Sequence, residues 1–311
     1  MTKNLLRDLK NLGIVLLLPA LFYLFFFLLN PTRFGNVESM FLLLQQSIVP
    51  TITSMGLFYI IVMGLFDFSI GSILVMSAMV GLKLSTNYGY VGLILGCLIT
   101  AVLLEATNCA LFSFLKIPSL IITVGMLLIY EPVASFLTPI ELWMPAEVDA
   151  FGRFPMNMIL GIFILLIAYF IYNRTRFGIY AQAIGQSEII SQHMGVSPAR
   201  IKFLGFVMCG FFVGFGALAL CSFMGGMVPQ IGMASMSRVF TPMIGCFIGI
   251  TLKKYCNVML GIYIGQFILS MITLGLMTLR IDVSIQQFIT GSFMILLVAL
   301  SVANKKDIIV K

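Results

Sequence analysis

The chain has 311 residues, of which 60% are hydrophobic and 9% charged, with a mean hydropathy of +1.11. Soluble domains carry about 25% charged residues, so this composition excludes a water-soluble fold and makes lipid the main solvent. The net charge of +7 does not point to nucleic acid, because the basic residues stand at the ends of apolar runs and form no stripe or basic-aromatic patch.

The predicted fold is all-α, a polytopic integral membrane protein forming one transmembrane domain over 1–311. Residues 1–10 are polar and basic and lead into an apolar run at 12–29. That run is longer than the roughly 7 to 15 residues of a signal-peptide core, and no small-x-small cleavage site follows, so it reads as a retained first span. A helix needs about 20 apolar residues to cross the hydrocarbon core. Scanned at that length, the chain offers runs at 12–29, 47–65, 70–82, 91–115, 120–137, 156–171, 203–223, 240–252, 258–277 and 285–302, of which the third and eighth are short. With the amino terminus in the cytoplasm, ten crossings return the carboxyl terminus there. Lys3, Arg7, Lys10, Lys116, Arg174, Arg176, Arg200, Lys202, Lys253, Lys254, Lys305, Lys306 and Lys311 then fall inside. Arg33, Lys83, Arg153, Arg238 and Arg280 are left outside or at the outer edge, while Glu131, Glu141, Glu147 and Asp149 cluster on the outer loop. This asymmetry matches the positive-inside rule.

Two places break the apolar pattern. Between the second and third spans, Gly64, Asp67, Ser69 and Gly71 form a polar, glycine-flanked interruption. An acid before an apolar-periodic run is a helix start signal, so Asp67 reads first as a cap. It also reads as a residue of the translocation pathway, since an ionisable group at membrane depth must pair or face a watery cavity. Both roles hold together if the spans are broken helices around that cavity. In the fourth span, Glu105 and Asn108 share one helical face and should turn toward protein or water.

The outer loop carries Trp143, the single tryptophan, whose first reading is an interfacial anchor. Between the sixth and seventh spans runs a polar interlude, 174–202, with four basic residues at its two ends. Inside it a short helix is expected at about 187–195. Ser187 can cap it, Glu188 suits the positive end of the helix dipole, and Gly195 can end it. The plainer reading is an ordinary connector, but the stretch exceeds the about two to eight residues usual between helices. Ser187, Glu188, Ile189, Ile190, His193 and Gly195 are therefore candidates for a docking surface. The seventh span repeats small residues, Gly205, Gly210, Gly214 and Gly216, as close helix packing requires.

No catalytic set is visible. His193 is the only histidine, which excludes a multi-histidine metal site and a conventional Ser-His-Asp triad built on a second one. The six cysteines show no metal-ligand spacing and read as small buried hydrophobes. No Walker loop, GxGxxG after a strand, HExxH or GxSxG motif occurs, so no cofactor is expected and any energy source lies in another chain or an ion gradient.

The two polar stretches together resemble the permease subunits of ATP-binding-cassette importers of the ribose and simple-sugar type. The family's Gly-Gly-Ile-Asp-Leu-Ser-Val-Gly-Ser stretch is matched at Gly64, Asp67, Ser69, Gly71 and Ser72, with Leu65 in place of its second glycine. Its cytoplasmic stretch resembles Thr175, Phe177 and Gly178 with Ala183, Gly185, Glu188 and Gly195. Asn108, Ile117-Pro118 and Thr123-x-Gly125 also fall in place, whereas the glycine-rich turn near Gly249 and Thr251 and the acid before the eighth span are altered. The resemblance implies a bacterial plasma (inner) membrane permease without covalent chemistry, whose 187–195 segment docks on an ATPase subunit. It also implies an extracytoplasmic solute-binding protein, a second permease subunit completing a homo- or heterodimeric pore, and a small polar solute such as a sugar or nucleoside. The alternative is an ion-gradient-driven secondary transporter or channel with Glu105 as its coupling acid. A membrane enzyme stands third, for want of a nucleophile-base or metal-ligand set.

Overall fold

The structure is a computed structural model that describes residues 2–138 and 140–309; Lys311, which the charge pattern assigns to the cytoplasm, lies outside the described residues. Helices α1 (Thr2–Leu29), α2 (Pro31–Phe34) and α3 (Val37–Val62) come first. They are followed by α4 (Ile70–Leu115), α5 (Ser119–Leu137), α6 (Met156–Arg174), α7 (Arg176–Gln186) and α8 (Glu188–His193). The chain finishes with α9 (Pro198–Met224), α10 (Ser237–Leu252), α11 (Val258–Thr278) and α12 (Val283–Ile309). Each of the ten predicted apolar runs overlaps one of these helices. Among the described residues, seven helices are long and apolar enough to cross a membrane, and α1 adds the shorter apolar stretch Val15–Leu29.

The third and fourth predicted runs share α4. Its 46 residues at about 1.5 Å each would give roughly 70 Å of helix, over twice the hydrocarbon thickness. Gly89, at φ 55° and ψ −139°, breaks it in two, in a conformation that glycine adopts without steric cost. The halves then fold against each other: a Cβ on Gly96 would lie 2.8 Å from the Cα of Gly81. The third run thereby extends well beyond 82, and the eighth gains a 3-10 turn, Ala234–Met236, ahead of α10.

Two compact units are present. One comprises the chain up to Thr51 and from Phe240 onward. Its core holds Phe26, Phe34, Leu43, Ile268 and Met271, with the rings of Phe26 and Phe34 stacked 5.5 Å apart. Gly245 leaves room for the buried Gln266, whose amide donates to the Thr241 carbonyl at 2.9 Å.

The other unit, Ile52–Val239, is built around α9. Its small residues bring backbones together as the spacing predicts: a Cβ on Gly210 would meet the Val102 Cα at 2.7 Å, and one on Gly214 the Leu98 Cα at 2.9 Å. On another side, Gly56 of α3 seats against the Phe212 Cβ at 2.9 Å. Van der Waals packing of this kind holds helices together in lipid, where apolar burial supplies little drive. At one end of this unit, strand β1 (Leu142–Trp143) pairs antiparallel with β2 (Gly226–Met227), matching Leu142 to Met227 and Trp143 to Gly226.

Candidate functional site

The polar interlude holds two helices where the sequence reading expected one. Thr175 caps α7 by accepting from the Gly178 N–H, and the same hydroxyl donates to the Ile171 carbonyl. Gly178 and Gly185 allow close backbone approach, to the Tyr172 and Val62 carbonyls respectively, and Phe177 packs on Tyr59 with ring centroids 5.6 Å apart. The Thr-x-Phe-Gly pattern thus seats α7 on the end of α3.

Helix α8 rides on that base. The Ser187 hydroxyl accepts from the Ile190 N–H at 3.4 Å, and Gly195, at φ 81°, turns the chain after the helix. The Ser191 hydroxyl donates to the Ser187 carbonyl at 2.8 Å and is buried. Glu188 accepts from Lys202 Nζ through both oxygens, at 2.9 and 2.8 Å, and that ammonium lies 5.8 Å from the Phe112 ring centre. With Ser191 turned inward, Ile189 and Ile190 remain 69% and 60% exposed, beside exposed His193 and Met194. Ile189, Ile190 and His193 are side chains that the sequence offered for docking, and they are open on the surface of the polar segment.

The second group lies where α3 gives way to α4. Asp67 Oδ1 accepts from the Ser69 N–H at 2.7 Å and from the Ser69 hydroxyl at 2.6 Å. Asn108 donates to Ser69 Oγ at 2.8 Å and approaches Asp67 Oδ2 at 3.5 Å. The Glu105 carboxyl faces Asp67, Asn108 and Cys209, yet neither of its oxygens is in hydrogen-bond geometry. Asp67, Ser69, Glu105 and Asn108 are all buried, so in this conformation they form an internal junction. Gly64, at φ 78°, makes the turn leading into it. Gly71 stands apart, facing the Ser235 carbonyl and Val239.

The sequence reading missed the residues of α5 that complete this junction. Ser119 and Thr123 accept from the N–H groups of Phe66 and Phe68 at 3.2 and 3.1 Å. The Tyr130 hydroxyl lies 2.9 Å from Asn108 Oδ1. Irregular backbone at membrane depth needs partners of this kind, and the spacing of 119, 123 and 130 puts all three on one helical face, a signal available in advance. Glu131 departs further from expectation. Assigned to the outer loop, it is buried within α5 and accepts from the N–H groups of Met233 and Ser235 at 2.7 and 2.8 Å and from the Ser235 hydroxyl. It holds the irregular segment before α10, and nothing near it in sequence announces that partner.

Residues 39–298 match the family described as "Branched-chain amino acid transport system / permease component". The ribose import permease protein of Escherichia coli is 25% identical, over 98% of this chain and 96% of its own length. The autoinducer 2 import system permease protein of Photorhabdus laumondii is 26% identical over 83% of this chain and 80% of its own. The fructose import permease protein of Rhizobium meliloti is 23% identical over 86% and 79%. No solved structure matches. These similarities are to transporters rather than enzymes, and they do not favour the ion-gradient-driven alternative. With the family match covering most of its length, the chain belongs to the permease components of that family and is a multi-pass protein of the bacterial plasma (inner) membrane.

Proposed function

We propose that this permease component works in an importer driven by separate ATP-binding-cassette ATPase subunits and passes a small polar solute, a sugar or nucleoside-like compound, into the cell. The names of its relatives, which import ribose, fructose and autoinducer 2, support that solute class. An extracytoplasmic binding protein delivers the solute, and a second permease subunit, identical or different, completes the pore. The observation that carries the reading is α8, whose exposed Ile189, Ile190, His193 and Met194 stand on a base fixed by α7 and by the Glu188–Lys202 pair. The ATPase grips this segment, and its nucleotide-driven closure biases the pore between two facings.

Ten crossings with both termini in the cytoplasm are supported by several contacts within Ile52–Val239, the approach of Gly71 to the Ser235 carbonyl being the exception. The loop at 138–155 and the segment after α9, both assigned to the outside, meet each other at β1 with β2. Segments assigned to the inside meet likewise, at Gly185 with Val62, Phe66 with Ser119, and Lys202 with Phe112. The Asp67 junction acts as a helix break at the edge of the pathway.

In proteoliposomes holding the complete transporter, Glu188→Arg is expected to abolish solute uptake while ATP hydrolysis continues. Stability should stay within about 1 kcal/mol of the parent, as for other exposed ion pairs. Undiminished uptake by that variant, or labelling of α8 from outside the cell, would remove the coupling role.

A further inference from the structure

Two carboxyl groups meet inside the unit Ile52–Val239, and the polar hydrogens around them leave one of the two unmet. Of the eleven acids in the chain, Asp67 and Glu105 face each other, and both are buried, at 2% and 0% exposure. Apart from Asp67, the elements packed against Glu105 bring uncharged groups. The stretch before α4 brings Ser69 alongside Asp67, α4 itself brings Asn108, α5 brings Tyr130 and α9 brings Cys209. Among the described residues the ion pairs are Arg153–Asp149 and Lys202–Glu188, so neither buried acid has a cationic partner. Two ionised carboxylates in that setting repel each other where neither water nor a positive side chain offsets them.

The hydrogens can be followed one by one. The N–H and the O–H of Ser69 both go to Asp67 Oδ1, at 2.7 and 2.6 Å. The Asn108 amide sends one hydrogen to Ser69 Oγ at 2.8 Å and the other toward Asp67 Oδ2 at 3.5 Å, longer than the about 2.7–3.2 Å of a good N–H···O bond. The single hydroxyl hydrogen of Tyr130 lies between Asn108 Oδ1, at 2.9 Å, and the Leu104 carbonyl, at 3.1 Å. The Cys209 thiol faces Glu105 but is a weak donor. Both Glu105 oxygens are therefore sealed from solvent without a hydrogen-bond partner in the protein, and buried acceptors left in that state are unfavourable. If both acids are ionised, acceptor stands against acceptor. A proton on Glu105 turns one of them into a donor, and Asp67 Oδ2, which has only the long Asn108 contact, is there to receive it.

We propose that Glu105 works as a neutral carboxylic acid that donates its O–H to Asp67, so that the pair carries a single negative charge and Glu105 is a positioning residue for the helix break. The bond ties the half of α4 beyond Gly89 to the stretch that precedes its first half, one helical turn from where Asn108 makes the neighbouring tie. This goes beyond the permease reading and does not depend on it. A glutamine at 105 supplies an N–H donor in the same place without a charge, whereas a leucine fills the space and supplies none.

Infrared spectroscopy of the full chain at neutral pH, in a detergent free of ester carbonyls, reads the proton directly. A carboxylic-acid C=O band is expected in the parent and in Glu188→Arg and should be missing from Glu105→Gln. A parent without the band, or a band that persists in Glu105→Gln, overturns the proposal. Substitution in the complete transporter tests the donor. Glu105→Gln should fold and take up solute as the parent does, while Glu105→Leu should cut uptake roughly tenfold or more, the factor that one unmet buried acceptor is worth. A Glu105→Gln chain that fails to fold or transport, or a Glu105→Leu chain that transports as well as Glu105→Gln, overturns the positioning role. Absence of ATP-driven uptake by the parent itself counts against the importer, and the infrared band still decides whether Glu105 is the acid.

Discussion

Helix α5 meets an irregular segment at each of its ends and treats the two differently. Near its start, the hydroxyls of Ser119 and Thr123 accept backbone N–H groups from 66–68, and the carboxylate in that stretch, Asp67, bonds two residues ahead to Ser69. Near its finish, one carboxylate, Glu131, accepts three donors from 233–235. Both arrangements meet the same requirement, since a turn buried at membrane depth has no water to satisfy its N–H groups. The first divides the task among weak neutral acceptors and a local cap. The second concentrates it in one residue, so its loss should be felt more.

That contrast can be broken by substitution. Glu131→Ala strands two backbone N–H groups and a hydroxyl, each costing about 1–3 kcal/mol when buried. A loss of about 3 kcal/mol or more is expected in chemical denaturation of the detergent-solubilised chain, with Glu131→Gln recovering part of it. Asp67→Ala should cost less, about 1–2 kcal/mol, as for other lost caps. Asp67→Asn, which retains the acceptor without the charge, should lose only a few tenths. If Asp67→Asn also transports normally, capping alone accounts for this residue; if it folds normally and fails to transport, the charge serves the pathway. Thr123→Val removes a single neutral acceptor and should cost about 1 kcal/mol. A loss from Thr123→Val equal to that from Glu131→Ala would show that the two ends of α5 are equivalent after all.

Much of the local architecture is legible before any fold is known. The ten apolar runs overlap helices because a span needs only enough consecutive apolar residues, a property of about 20 neighbours. Ser187 and Gly195 bound α8 for a similar reason: capping and the left-handed turn involve residues within one turn of the helix. Helix α7 escaped notice although Thr175 is a recognisable cap, because its polar composition reads as connector until Gly185 and Phe177 find the end of α3. The shared orientation of Glu105 and Asn108 follows from their spacing, but the distance between Asp67 and Asn108, 41 positions apart, does not.

The sequence by itself determined the solvent, the helical class, the placement of apolar runs and the caps at their ends, because each depends on composition or on neighbours along the chain. Only the tertiary structure decided that α4 folds back at Gly89, that Glu131 reaches Ser235 across 104 positions, and that Glu105 faces Asp67. Those outcomes depend on which helix faces which. In lipid that choice rests on fitting small residues and distant hydrogen-bond partners together, information that no local window contains.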